Sequence, residues 1–275
     1  MELWQALVLG IVEGITELLP VSSTGHLTVT EKLLGMDVTD AGVTGFTAVI
    51  QIGAIVAVLV YFFTDIVAIV KAFFKGLFNA RHRDDQNYRM GWYVIVGSIP
   101  IVIVGLLGKD LIEGPLRSLW FVAGGMILWS FVLWFSEHAA THQRTLERIT
   151  MKDAIFVGVV QCFSLIPGVS RSGASTSAGL LRDLDRLAAT KLAFYLGIPA
   201  LTGAGVLEAK DALSGSVELT PLIVGTVVSG VVAYAAVAWL LKFISGHSFM
   251  LFVWYRIAFG VVVMGMLALN IIEPI

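Results

Sequence analysis

Long apolar runs separated by short polar stretches dominate the chain. A helix that crosses the hydrocarbon core of a bilayer needs roughly 20 mainly apolar residues. Five runs meet this requirement, and a sixth, at about 188–208, is interrupted by Pro199 and several glycines. The five uninterrupted runs lie at about 44–63, 92–107 with its flanks, 118–136, 219–241 and 250–272. The pattern predicts an all-α polytopic membrane protein with about six transmembrane helices.

Two other apolar segments, residues 3–34 and 153–181, are each broken by a turn rich in proline, glycine and serine. At an offset of 148 residues, the segments share the order of apolar helix, break, serine cluster and glycine. The identical pairs are Gly10 and Gly158, Val12 and Val160, Val21 and Val169, Ser22 and Ser170, and Gly25 and Gly173. This match predicts a single membrane domain over 1–275, built from internal repeats at approximately 1–136 and 150–275.

Lysine and arginine residues are unequally divided between the two sides of the predicted topology. Because cytoplasmic loops of membrane proteins carry the excess of positive charge, the richer side is assigned to the cytoplasm. Twelve residues lie on that side: Lys71, Lys75, Arg81, Arg83, Arg89, Arg144, Arg148, Lys152, Arg182, Arg186, Lys191 and Lys242. The other side holds four: Lys32, Lys109, Arg117 and Lys210. The two broken segments then enter from opposite sides, which predicts an inverted repeat with two re-entrant helix pairs facing each other.

The composition supports a membrane protein and argues against a soluble domain, a nucleic-acid-binding protein and a protein with an internal disulfide. The mean hydropathy is +0.87 and 14% of the residues are charged, whereas a soluble domain averages about 25%. The net charge of −2 gives no basis for a nucleic-acid partner. The single cysteine, Cys162, excludes an internal disulfide.

The first break follows two glutamates, Glu13 and Glu17, which are four residues apart and share one face of a helix. Two carboxylates in an apolar run cost several kcal/mol unless a cation or a proton intervenes. Oxygen ligands suit Mg²⁺ or Ca²⁺ rather than zinc. We therefore expect a divalent cation at Glu13 and Glu17, with the solvated face of a surface helix as the alternative.

A hydroxyl cluster, Ser22, Ser23 and Thr24, follows Pro20 and can cap a new helix. The free N–H groups and the positive end of such a helix attract an anion. His26 lies three residues beyond Ser23, within one turn, and can contact either the Ser23 hydroxyl or a phosphate oxygen.

The second break contains Ser170, Arg171, Ser172 and Ser175, again at the start of a predicted helix. Arg171 offers a planar fork of donors that matches phosphate oxygens. If the two breaks face each other, carboxylate, imidazole and guanidinium groups surround one anion. This predicts an anionic, phosphate-containing substrate bridged to a metal.

Two polar residues lie inside predicted spans. Gln51 is expected to hydrogen-bond across helices, with contact to the substrate as the alternative. Arg256, beside Trp254 and Tyr255, is expected to snorkel to the membrane interface, with contact to the site as the alternative. Both are retained as candidate substrate-binding residues.

The run E-G-x-T-E-x-L-P-V-S-S-T-G-H at 13–26 and the run P-G-x-S-R-S-G-A at 167–174 resemble the bacterial undecaprenyl-pyrophosphate phosphatase family of the bacitracin-resistance type. The run F-x-x-V-I-Q-x-G at 46–53 and the pair Tyr255-Arg256 extend the resemblance over nearly the whole chain.

The resemblance implies a multi-pass enzyme of the bacterial plasma membrane with its active site facing the outer side. It would remove the terminal phosphate of undecaprenyl pyrophosphate and yield the monophosphate carrier for peptidoglycan synthesis. Family roles place metal and acid–base work on Glu13 and Glu17. Hydroxyl and imidazole roles fall on Ser23 and His26, and phosphate binding falls on Ser170, Arg171 and Ser175. The expected partners are the lipid pyrophosphate and membrane lipids, with a homodimer as a further possibility.

Two questions of mechanism and function stay open at this point. Ser23 is the favoured nucleophile with His26 as proton carrier, and attack by His26 or directly by water are the alternatives. The main alternative function is a transporter of a lipid phosphate or another anion, because inverted repeats and half-helix termini also occur in transporters.

Overall fold

A computed structural model describes residues 1–108, 118–213 and 218–274, and within these ranges the regular structure is helical. The helices are α1 (Leu3–Thr16), α2 (Ser23–Leu33), α3 (Ala41–Tyr61), α4 (Phe63–Phe78), α5 (Gln86–Leu107), α6 (Leu119–Ala139), α7 (Met151–Gln161), α8 (Arg171–Leu181), α9 (Arg186–Leu213), α10 (Leu219–Ile244) and α11 (Met250–Ala268). Short 3₁₀ turns at Ala80–His82, Leu146–Arg148 and Cys162–Leu165 connect some of them.

Helices α3, α5, α6, α10 and α11 are long and apolar enough to cross a membrane. They correspond to the five uninterrupted runs of the sequence. The interrupted run forms α9, which continues through Pro199. Large apolar side chains, among them Leu128, Phe131 and Val231, are more than half exposed on the outer faces of the bundle. In water such a surface would be unfavourable, whereas lipid chains solvate it, and the prediction of an all-α polytopic membrane protein is confirmed.

The two broken segments form helix pairs with matching geometry. The offset of 148 residues that aligns their sequences also places the bounds of α2 onto those of α8. Ser22 and Ser170, the residues immediately before these helices, have φ angles of 74° and 75°. Such left-handed conformations are uncommon for residues other than glycine. Each break therefore contains a serine in the same strained backbone conformation. The division of the chain into repeats and the re-entrant course of the pairs stay predictions.

Close helix packing fixes the first helix of each pair. A Cβ built on Gly10 of α1 would lie 2.6 Å from the carbonyl oxygen of Gly225 in α10. In the second pair, a Cβ built on Gly158 of α7 would lie 2.0 Å from the carbonyl oxygen of Gly97 in α5. A side chain at any of these contacts would push the helices apart. Each broken pair is therefore anchored against a long apolar helix.

Helix α4 lies outside the runs that the sequence predicts as spans, because Asp65, Lys71 and Lys75 interrupt its apolar residues. It follows α3 directly, and Asp65 accepts hydrogen bonds from Tyr195 Oη at 2.6 Å and from Lys191 Nζ at 3.3 Å. These contacts join the first turn of α4 to the first part of α9.

Several of the basic residues assigned to the cytoplasm form ion pairs at one end of the bundle. Asp153 accepts from Arg144 at 2.5 Å and from Arg182 at 2.8 Å, and Arg186 pairs with Glu137. Backbone hydrogen bonds between Arg144 and residues 183 and 185 join the same two loops. The loops that the charge count grouped together are therefore neighbours in the structure.

Candidate functional site

The two breaks meet in the interior of the bundle. Ser172 Oγ donates to the carbonyl oxygen of Leu19 at 2.9 Å. Arg171 Nη2 donates to Glu17 Oε1 at 3.0 Å. Both contacts cross from one break to the other, and the predicted convergence is confirmed.

The Arg256 side chain hydrogen-bonds to the backbone of both breaks. The expectation that it snorkels to the membrane interface is therefore wrong. Its side chain is fully buried. Its donors contact the carbonyl oxygens of Pro20 at 3.1 Å, Gly168 at 3.0 Å, Val169 at 3.0 Å and Met126 at 3.2 Å, and Ser130 Oγ at 3.1 Å. A buried guanidinium requires such acceptors, and the irregular backbone of the two breaks provides them. These contacts give Arg256 a structural role, in which it joins the backbone of the two breaks.

Glu17 is the centre of the polar contacts. Its Oε2 accepts from Ser23 Oγ at 2.6 Å, while its Oε1 accepts from Arg171. The side chains of Glu17 and Arg171 are only 6% and 11% exposed. The Ser23 proton therefore lies toward Glu17, so a carboxylate is the group placed to receive it.

Glu13 lies one helical turn before Glu17 and is buried, with both carboxylate oxygens shielded from solvent. The alternative of a solvated helix face is therefore wrong. Among the described residues, no group of three or more His, Cys, Asp and Glu side chains could hold a metal on its own. Two buried carboxylates still fit Mg²⁺, which commonly takes one or two carboxylates and completes its shell with water and substrate phosphates.

His26 is buried on α2, and its ring contacts α11 rather than Ser23. Nδ1 lies 2.8 Å from the carbonyl oxygen of Ser22, and Nε2 lies 2.7 Å from Tyr255 Oη. Tyr255 is a site residue that sequence reasoning missed. The only signal for it was its place in the Tyr255-Arg256 pair of the resembling sequences.

The serines of the second break are buried, and their hydroxyls make hydrogen bonds within the protein. Ser170 caps α8, and its Oγ accepts from Gly173 N at 3.2 Å and lies 3.1 Å from Ser172 Oγ. Ser175 is fully buried, and its hydroxyl donates to Gln161 Oε1 at 3.0 Å. The hydroxyls of Ser172 and Ser175 thus contact groups within the protein.

The remaining candidates lie around the start of α2 and on α3. Ser22 occupies the position before α2, but its side chain makes no capping hydrogen bond. Thr24 is exposed in the first turn of α2, and Gln51 is half-buried on α3. Contact of these three residues with substrate stays a prediction.

A narrow apolar crevice, too small to hold a water molecule, lies beside Arg171. Leu18, Ile55, Val58, Phe194, Ile198 and Leu201 line it together with Arg171. A Cβ built on Gly197 of α9 would lie 1.8 Å from Arg171 Nη1. Glycine at this position therefore allows the guanidinium to lie directly against α9.

Comparisons with known proteins show the family to which the chain is similar. The model of the family described as bacitracin resistance protein BacA matches residues 6–262. Undecaprenyl-diphosphatase 1 of Streptomyces avermitilis is 56% identical over 98% of both chains. Undecaprenyl-diphosphatase 1 of Frankia alni is 54% identical over 96% of this chain and 95% of that protein. Undecaprenyl-diphosphatase of Corynebacterium glutamicum (strain R) is 47% identical over 98% of this chain and 92% of that protein.

Proposed function

Because this chain belongs to the bacitracin resistance protein BacA family, we infer that it is a membrane enzyme that hydrolyses undecaprenyl pyrophosphate. The products are undecaprenyl phosphate, the lipid carrier of peptidoglycan synthesis, and inorganic phosphate. The observation that carries this function is the contact of Glu17 with both Ser23 and Arg171 in a buried site. This contact brings together a nucleophile (Ser23), a proton acceptor (Glu17) and a guanidinium that can bind phosphate (Arg171). Anion transport requires no nucleophile.

We assign a divalent cation, Mg²⁺ or Ca²⁺, to Glu13 and Glu17. Both carboxylates are buried one helical turn apart, and their oxygens are hard ligands. When bound, the cation would neutralise the negative charge of the pyrophosphate. The substrate itself would supply further oxygen ligands.

The chemical step assigned to Ser23 is attack of its Oγ on the terminal phosphorus. The Ser23 proton passes to Glu17 Oε2, which lies 2.6 Å away. The bond from phosphorus to the bridging oxygen breaks, and undecaprenyl phosphate leaves with that oxygen. Arg171 holds the oxygens of the transferred phosphoryl group, since its fork of donors matches them. The start of α2, where the Ser22 side chain makes no cap, offers further N–H groups to the phosphate.

Hydrolysis of the resulting phosphoserine completes the cycle. We assign His26 to this half of the reaction, where the attacking water takes the place of the Tyr255 hydroxyl at Nε2 and gives its proton to that nitrogen. Inorganic phosphate leaves, Ser23 recovers its proton from Glu17, and His26 releases its proton to solvent. This assignment replaces His26 by Glu17 as the group that first receives the serine proton, and the hydrogen bond from Ser23 Oγ to Glu17 Oε2 supports it.

The test uses purified protein in detergent, where no sealed compartment exists. A transporter would not release inorganic phosphate under these conditions. With Mg²⁺ present, the wild type is expected to release inorganic phosphate from a prenyl pyrophosphate. Ser23→Ala and Glu17→Gln are expected to lower kcat by at least about 10²-fold. Trapped phosphoenzyme that is stable to acid would support serine, and an acid-labile one would point to His26. Full turnover of both variants would exclude the proposed site.

The outer side of the plasma membrane is the location that we propose for the site opening. The charge distribution supports a cytoplasmic location for the basic loops, which gather at one end of the bundle, and the family resemblance implies that the site opens at the other side. Two variants in a Cys162→Ser background, Thr39→Cys and His82→Cys, each place one cysteine at an exposed position. The first reports the predicted outer end of the bundle and the second reports the predicted cytoplasmic end. An impermeant thiol reagent applied to intact cells should label position 39 and spare position 82. Labelling of position 82 alone would reverse the topology.

A further inference from the structure

The imidazole of His26 is held at both ring nitrogens. A carbonyl oxygen can only accept, so the 2.8 Å contact with Ser22 O assigns a proton to Nδ1. In the neutral ring Nε2 is then the acceptor, and the Tyr255 hydroxyl donates to it across 2.7 Å. The two hydrogen bonds select one tautomer, in which Nε2 carries no proton and can act as a base once water takes the place of the Tyr255 hydroxyl.

The face of the imidazole is held as well. The Phe259 ring stacks on it with a centroid distance of 4.1 Å and an interplanar angle of 20°. The Tyr255 ring lies nearly parallel to it at 5.6 Å. Tyr255 and Phe259 are four residues apart and share one face of α11. With both nitrogens bonded and one face covered, rotation of the His26 ring would break several contacts at once.

The position of α11 relative to His26 is itself fixed. Arg256, the next residue after Tyr255, is fully buried and donates to carbonyl oxygens of both breaks. Tyr255 is 44% exposed, whereas His26 is 7% exposed. The half-exposed tyrosine therefore reaches a buried imidazole with its hydroxyl.

We propose that Tyr255 is a positioning residue of the phosphatase, whose hydroxyl holds His26 in the orientation and tautomer that hydrolysis of the phosphoenzyme requires. The inference rests on the proposed function, in which His26 Nε2 takes a proton from water. Without the hydroxyl, the ring can turn and a smaller fraction of the enzyme is competent. Tyr255 acts through His26, so its loss should lower kcat and leave KM nearly unchanged.

The experiment compares wild type with Tyr255→Phe, which removes only the hydroxyl. Phosphate release from a prenyl pyrophosphate with Mg²⁺ gives kcat and KM, and ¹⁵N spectra of histidine-labelled protein report the ring nitrogens. We expect kcat to fall about tenfold, as for loss of one hydrogen bond, with KM within about twofold. The His26 Nε2 signal, identified by its loss in His26→Gln, should move toward that of a nitrogen without a hydrogen bond. Tyr234→Phe is the matched control, since Tyr234 on α10 is 45% exposed, and it should leave both readouts unchanged.

Failure of this inference is distinguishable from failure of the proposed function. A Tyr255→Phe enzyme with wild-type kcat and an unchanged His26 signal would overturn the positioning role while the wild type stays active. Absence of phosphate release by the wild type, or full activity of His26→Gln, would instead overturn the proposed function. If Tyr255→Phe does not fold, Phe259→Leu tests the same orientation from the ring face. That variant should lower kcat and broaden or split the His26 signal, and wild-type behaviour in both readouts would refute the proposal.

Discussion

Arg256 supports the joint between the two breaks, and its replacement by methionine should separate them. Methionine fills a similar length of space but donates no hydrogen bond. Three break carbonyls, those of Pro20, Gly168 and Val169, would lose their donor in a buried position. Each orphaned buried acceptor costs about 1–3 kcal/mol. Relief from burying a guanidinium offsets part of this sum, so the expected loss is about 3–5 kcal/mol of stability.

Thermal unfolding in detergent measures this loss. For a chain of this size, roughly 2–4 °C of Tm corresponds to each kcal/mol, so the Tm should fall by about 6–20 °C. Phosphate release should fall further than stability explains, because Arg171 and Glu17 approach each other only while the breaks are joined. Arg89→Met is a suitable control, since Arg89 forms an exposed ion pair with Asp84, and such pairs contribute about 0–1 kcal/mol.

An Arg256→Met protein with a Tm within about 2 °C of wild type and normal turnover would refute this reasoning. Arg256→Lys sharpens the test. An ammonium has three donors on a compact centre and does not reproduce the planar fork, so it should rescue only part of the stability. Full rescue by lysine would show that charge, and not the spread of donors, holds the breaks.

Two further predictions concern the second break and the basic end of the bundle. Gly197→Ala would place a methyl group 1.8 Å from Arg171 Nη1; the flexible guanidinium should move, lowering kcat/KM by about tenfold or more at little cost in Tm. Gly203→Ala on the same helix, where a Cβ meets nothing within 4 Å, should leave phosphate release unchanged, and equal effects would contradict the steric argument. Asp153→Asn should destabilise the protein by about 2–3 kcal/mol, because its buried carboxylate accepts from Arg144 and a second arginine. Burial raises the pKa of Asp153, but the hydrogen bonds from its arginine partners lower that pKa more, well below its usual range. The stability it contributes is therefore present above about pH 4 and is lost as the pH falls; the wild-type Tm should drop in acid, and an equal drop in Asp153→Asn would count against this assignment.

The spans and the two breaks could be predicted because both follow from local pattern. An apolar run of sufficient length has few alternatives to crossing a bilayer, and a turn rich in proline and glycine interrupts a helix wherever it occurs. The convergence of the breaks followed from the repeat and the charge count. Contacts such as Arg171 with Glu17 then required only that two polar groups in an apolar interior find each other.

Other features depend on contacts between residues that are far apart in the sequence, and these contacts cannot be predicted from local pattern. An arginine within an apolar run has the same local sequence whether it reaches the interface or bonds internal carbonyl oxygens, so the position of Arg256 could not be read from its neighbours. The contact of His26 with Tyr255 joins residues 229 positions apart. Spacing along α2 placed His26 within a turn of Ser23, but the side-chain directions turned the imidazole toward α11 and the hydroxyl toward Glu17.

The offset of 148 residues also shows how one backbone geometry serves two chemical roles. Both breaks place a serine with nearly the same positive φ before a helix of equal length. The residues at matching positions differ in chemistry: Glu13 with Gln161, Ser23 with Arg171, and His26 with Ala174. Carboxylates in both halves would repel each other and a bound phosphate, and guanidinium groups in both would leave no nucleophile. Under the proposed function, the paired turns therefore carry the nucleophile and the anion-binding group at matching positions around one site, and the asymmetry of the side chains makes the site reactive.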